Sequence, residues 1–60
     1  MEVFALLAAW DYEGSMLLGV YASEDDARAA VVTDRFVDRY YIERRVVGAP
    51  VDCDPVRIDI

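Results

Sequence analysis

Between Val3 and Tyr21 the chain carries two apolar runs separated by a short polar break, and few folds accommodate that pattern. The first run is Val3-Phe4-Ala5-Leu6-Leu7-Ala8-Ala9-Trp10. The break is Asp11-Tyr12-Glu13-Gly14-Ser15, and Met16-Leu17-Leu18-Gly19-Val20-Tyr21 follows it. Two short apolar runs around a Gly-containing break predict a β-hairpin. The length of the break favours a longer loop over a two-residue turn. The first run is apolar on both faces of a strand, with Val3, Ala5, Leu7 and Ala9 on one side and Phe4, Leu6, Ala8 and Trp10 on the other. A strand of that kind belongs in the middle of a sheet, covered at least in part on both faces. In the second run, Met16, Leu18 and Val20 oppose Leu17, Gly19 and Tyr21. Gly19 marks a bulge or the close approach of another side chain.

A helix start follows at Ser23-Glu24-Asp25-Asp26. The Ser23 hydroxyl can accept from the amide of Asp25 or Asp26, and Asp26 stands where a capping box has its acid. Three acids in the first turn complement the positive end of the helix dipole, which gives the cluster a complete structural explanation. Ala27, Ala30 and Val31 share one small-residue face, with Asp34 close to it, and the helix is expected to end near Asp34 or Arg35. Asp34 to Asp38 then reads as a loop with Phe36 or Val37 tucked under the sheet. Arg39 to Val47 reads as a third strand, with Tyr40, Ile42, Arg44 and Val46 on one face and Tyr41, Glu43, Arg45 and Val47 on the other. Gly48-Ala49-Pro50 ends it. In the tail, Val56, Ile58 and Ile60 alternate, as a short fourth strand or an extended arm would.

The expected fold is therefore α+β: β-β-α-β, a three-stranded antiparallel sheet in the order 2-1-3 with one helix on one face. A right-handed crossover from the second strand sets the third beside the first. Residues 1–60 are read as a single domain with its core in 2–48 and a tail in 49–60. One helix covers one sheet face, so either the tail or a partner is expected to cover the other, and that partner can be a second copy.

The composition narrows the function classes. An apolar fraction of 57% argues against disorder. The longest apolar run is far short of the roughly 20 residues that span a bilayer, and no basic segment precedes it as in a signal peptide. The chain is read as cytoplasmic and complete from Met1. A lone Cys53 and no His exclude an internal disulfide, most zinc sites and His-activated nucleophiles. Asp52-Cys53-Asp54 is a poor mixture of hard and soft metal ligands, and Asp11-Tyr12-Glu13-Gly14 lacks the rest of an EF-hand loop. No catalytic residue, metal site or cofactor is expected. Twelve acids face six bases, all Arg, for a net charge of −6. Such a chain is repelled by nucleic acid and by anionic membranes and attracted to basic surfaces, while solubility alone accounts for the same charge.

Four stretches carry a resemblance: Asp11-Tyr12-Glu13-Gly14, Leu18-Gly19-Val20-Tyr21, Ser23-Glu24-Asp25-Asp26-Ala27 and Tyr40-Tyr41-Ile42-Glu43. Over residues 2–47 the chain resembles a group of very short phage and bacterial proteins with a Tyr-Glu-Gly hairpin tip, a Ser-capped acidic helix start and a final Tyr-x-Ile strand. In size, acidity and layout it also resembles small anti-CRISPR proteins, phage-encoded inhibitors of CRISPR effector complexes, some of them acidic DNA mimics. That resemblance implies an inhibitor of a type I effector (Cascade) in the cytoplasm of a bacterial host. Its partner is a protein with a basic, nucleic-acid-binding surface, with no direct contact to nucleic acid or membrane. The candidate partner-binding residues are Asp11, Tyr12 and Glu13 at the tip, Glu24, Asp25 and Asp26 at the helix start, and Asp34 and Asp38 after the helix. Tyr12 either packs back on the hairpin or touches the partner. The topology separates the tip from the helix start and brings Asp34 and Asp38 toward the tip. A monomer is favoured. The alternative is an accessory module that dimerises through its uncovered sheet face.

Overall fold

A computed structural model describes residues 1–32, 34–48 and 56–60. Its elements are β1 (Glu2–Trp10), β2 (Gly14–Tyr21), α1 (Glu24–Ala29), β3 (Arg39–Val46) and β4 (Val56–Asp59). The strands form one antiparallel sheet in the order β2-β1-β3-β4. The expected 2-1-3 arrangement is present, with β1 central, and the end of the chain extends it by one short strand. Val56–Asp59 thus joins the sheet beside β3 and does not fold over the open face.

The hairpin turns tightly. Trp10 pairs with Gly14, leaving Asp11, Tyr12 and Glu13 as the tip. Gly14 takes a φ of 85°, a left-handed conformation that a residue with a Cβ adopts only at a cost. The register then slips at Leu6/Leu7, where Leu6 pairs with Gly19 and Leu7 with Leu17. Leu18 is the extra residue of a β-bulge. The bulge corrects the simple alternation expected for β2. Leu17 and Val20 pair with Leu7 and Ala5 on the open face, whereas Met16, Gly19 and Tyr21 pair with Ala8, Leu6 and Phe4 on the helix side. The close approach anticipated at Gly19 comes from its own strand, since a Cβ there would meet the Tyr21 hydroxyl at 2.8 Å.

Ser23 caps α1, its Oγ accepting from the Asp26 amide at 3.1 Å. Such a cap contributes about 1 kcal/mol. The helix is shorter than expected. It runs from Glu24 to Ala29 and is closed by Ala30, so Asp34 and Arg35 lie outside it. The chain turns β-branched at Val31-Val32, and β-branched side chains lose rotamer freedom in a helix. The expected small-residue face is the buried one. Ala27 is fully buried against Leu6 and Ile42, with Ala30 and Val31 packed around them. Phe4, Tyr21 and Ile58 complete that core. Among the described residues no helix is long and apolar enough to cross a membrane.

Candidate functional site

The segment between α1 and β3 is held by side chains of the sheet. The Tyr40 hydroxyl donates to the Val32 carbonyl at 2.9 Å and accepts from the Asp34 amide at 3.0 Å. Trp10 Nε1–H donates to the Phe36 carbonyl, and the Asp34 carboxylate caps the Phe36 amide at 2.9 Å. These bonds fix the backbone and leave the Phe36 ring outside, 71% exposed and under the Arg35 guanidinium at 5.0 Å. Of the two residues expected to tuck under the sheet, Val37 takes the more sheltered place and Phe36 does not. The helix stops short of this end of the sheet. An open, mainly apolar cleft of about 700 Å³ remains there, walled by Trp10, Met16, Leu18, Val32, Phe36 and Tyr40.

The acids divide as the topology requires. The Asp11 amide donates to Asp38 Oδ2 at 2.7 Å, and Asp11 pairs with Arg39 at 3.1 Å. The tip and the start of β3 are therefore one structure, into which Asp34 also leads. Four carboxylates (Asp11, Glu13, Asp34 and Asp38) stand at this end with Arg35 and Arg39. Tyr12 projects from the tip fully exposed and does not pack back on the hairpin. Glu24, Asp25 and Asp26 form the second pole, where α1 begins after β2.

The arginines are engaged throughout. Five make ion pairs: Arg28 with Glu24, Arg39 with Asp11, Arg44 with Glu2, Arg45 with Glu43 and Arg57 with Asp59. Arg35 stacks on Phe36, and Arg57 also lies over the Tyr41 ring at 4.0 Å. The pairs are solvent-exposed in most members and each contributes little to stability. Their consequence is where the surplus negative charge ends up. Glu2, Asp11, Glu24, Glu43 and Asp59 are matched, and Asp34 and Asp38 cap backbone amides. Among the described residues that leaves Glu13, Asp25 and Asp26 with neither a base nor an amide. The topology predicts the two poles; which of their acids are matched depends on register pairs such as Ala9–Arg39, which no local motif encodes.

Among the described residues no three Cys, Asp or Glu side chains gather as a cation site. Asp52, Cys53 and Asp54 lie outside the described residues. The open face of the sheet has two halves. Val3, Ala5, Leu7, Leu17 and Val20 form an apolar half, and Glu43, Arg45, Arg57 and Asp59 form a paired ionic half beside Tyr41. Comparisons with protein-family models, with curated proteins and with solved structures found no match to this chain.

Proposed function

We propose that this chain is a non-enzymatic inhibitor that occupies a basic, nucleic-acid-binding protein surface. By its resemblance, it is an anti-CRISPR protein that blocks a type I effector complex by DNA mimicry in the cytoplasm of a bacterial host. The observation that carries the reading is the tip. Asp11, Glu13, Asp34 and Asp38 stand at one end of the sheet around a fully exposed Tyr12, on backbone held by the Asp11–Asp38 and Tyr40 hydrogen bonds. Carboxylates held on a rigid frame can replace phosphates on a basic channel and release the same counterions. An exposed Tyr is among the side chains enriched as anchors of such contacts.

Capture of a purified type I effector complex by this protein is expected to weaken steeply with salt and to be competed by duplex DNA. Replacing Asp11 and Glu13 by Lys is expected to weaken it by about tenfold or more, because Glu13 turns from attractive to repulsive and Lys in place of Asp11 leaves Arg39 unpaired beside it. Inhibition that survives this double reversal, or that DNA does not compete, overturns mimicry.

A second reading rests on the apolar half of the open face, where Leu17 and Val20 are more than half exposed. A module that dimerises through this face is expected to sediment as a dimer that Leu17→Glu splits into monomers. A monomer at high protein concentration rejects it.

A further inference from the structure

We propose that β2 is a docking edge. It takes up an extended segment of the partner as an added antiparallel strand, apolar in its middle and carrying Lys or Arg at both ends.

The two edges of the sheet differ. β4 has four residues, and two of them, Arg57 and Asp59, are charged. Short length and charge are the usual protections of an edge against unwanted pairing. β2 has eight residues, Gly14-Ser15-Met16-Leu17-Leu18-Gly19-Val20-Tyr21, with no charge and no Pro. The bulge at Leu18 interrupts its ladder with β1 but adds no charge to the edge. Met16, Leu17, Leu18 and Val20 are each 42–57% exposed, and they stand on both faces of the strand. An added strand would lay side chains over both sets, the arrangement in which strand addition combines main-chain hydrogen bonds with side-chain selectivity.

Charge chooses the occupant. Glu13 stands at the entry to β2, and Asp25 and Asp26 stand just beyond its exit. These are the three acids that the described residues leave without a base or an amide. A second copy fits poorly. An antiparallel self-pair that sets Leu17 against Leu18 brings Glu13 of one chain to Ala22 of the other, beside that chain's acidic helix start. Like charges then meet at both ends. A segment with basic ends meets opposite charge at both.

The inference rests on the basic partner of the preceding reading and adds how that partner is held. The test uses the whole protein, labelled with ¹⁵N, and a blocked peptide Arg-Arg-Thr-Val-Thr-Val-Thr-Val-Arg-Arg. One control peptide has Glu in place of Arg; another keeps Arg but has Pro in place of two Val. The basic peptide is expected to shift the amides of residues 14–21 and slow their hydrogen exchange. Both controls are expected to bind about tenfold more weakly or worse, since one is repelled and the other cannot complete a ladder. The variant with Glu13→Lys, Asp25→Lys and Asp26→Lys is expected to prefer the Glu-ended peptide. These side chains are exposed or lie at the tip, and a dispersed amide spectrum verifies that the variant folds. Equal binding of either control, shifts confined to other strands, or a homodimer paired through β2 each overturn the proposal. Peptide binding without capture of an effector complex rejects the inhibitor reading alone. DNA-competed capture without peptide binding rejects strand addition alone.

Discussion

Ile42→Ala is expected to remove a large share of the protein's stability. Ile42 is fully buried at the one point where every layer meets: Leu6 opposite it on β1, Ile58 opposite it on β4, and Ala27 of the helix packed against the same cluster. Replacing a buried Ile by Ala removes about 2–5 kcal/mol, according to how far the cavity collapses. A chain of this length holds roughly 3–9 kcal/mol in total, at about 0.05–0.15 kcal/mol per residue. The loss is thus a large fraction of the whole stability. Ile42→Val, which removes one methyl group, is expected to cost about 0.5–1.5 kcal/mol and to leave a folded protein. Urea denaturation followed by circular dichroism checks both. A midpoint that Ile42→Ala leaves unchanged would show that the core lies elsewhere.

Ala27→Leu is expected to detach the helix while the sheet persists. Ala27 is the buried residue of α1 and faces Leu6 and Ile42 with no exposed surface. Added carbons have no space there, and such overpacking costs about 1–3 kcal/mol. A helix as short as α1 cannot stand alone in water, because its stability comes from the face it buries. Lifting that face removes its reason to form. Hydrogen exchange resolves the outcome by residue. The amides of Ala27, Ala30 and Val31, bonded to Ser23, Asp26, Ala27 and Arg28 carbonyls, are expected to lose protection, while the β1–β3 ladder keeps it. Uniform loss along the whole chain would mean that helix and sheet unfold as one unit.

The centre of the sheet was legible because Val3 to Trp10 is a long run apolar on both faces, which favours a central place. The order of strands followed from that and from crossover handedness, and the alternation of Val56, Ile58 and Ile60 was a true strand signal. The helix end was not legible. Ala27, Ala30 and Val31 do share the buried face, but no Gly or Pro marks the stop, and Ala30 closes the helix in an ordinary right-handed conformation. The β2 faces were read as a clean alternation, whereas the bulge at Leu18 puts Leu17 and Val20 on one side. Gly19 hinted at it without fixing the residue. Hydrophobicity alone did not choose between Phe36 and Val37; the structure uses the Phe36 carbonyl for Trp10, leaves its ring out and shelters Val37. At the candidate site, topology alone separated tip from helix start. The Asp11–Asp38 bond needed the β1–β3 register.

The central position of β1 has a consequence for the order in which the fold can be made. β1 is synthesised first among the strands, and β2 can close on it as soon as the hairpin emerges. Its other side waits for β3, about thirty residues later, and at roughly 5–20 residues per second that wait is on the order of seconds. The helix that covers Leu6 arrives before β3, but Ile42, the side chain it shares Leu6 with, does not. A nascent chain therefore carries an unpaired apolar edge, Val3 to Trp10, until Arg39–Val46 leaves the ribosome. Residues 39–46 are thus the segment whose delay leaves the newborn protein open to association.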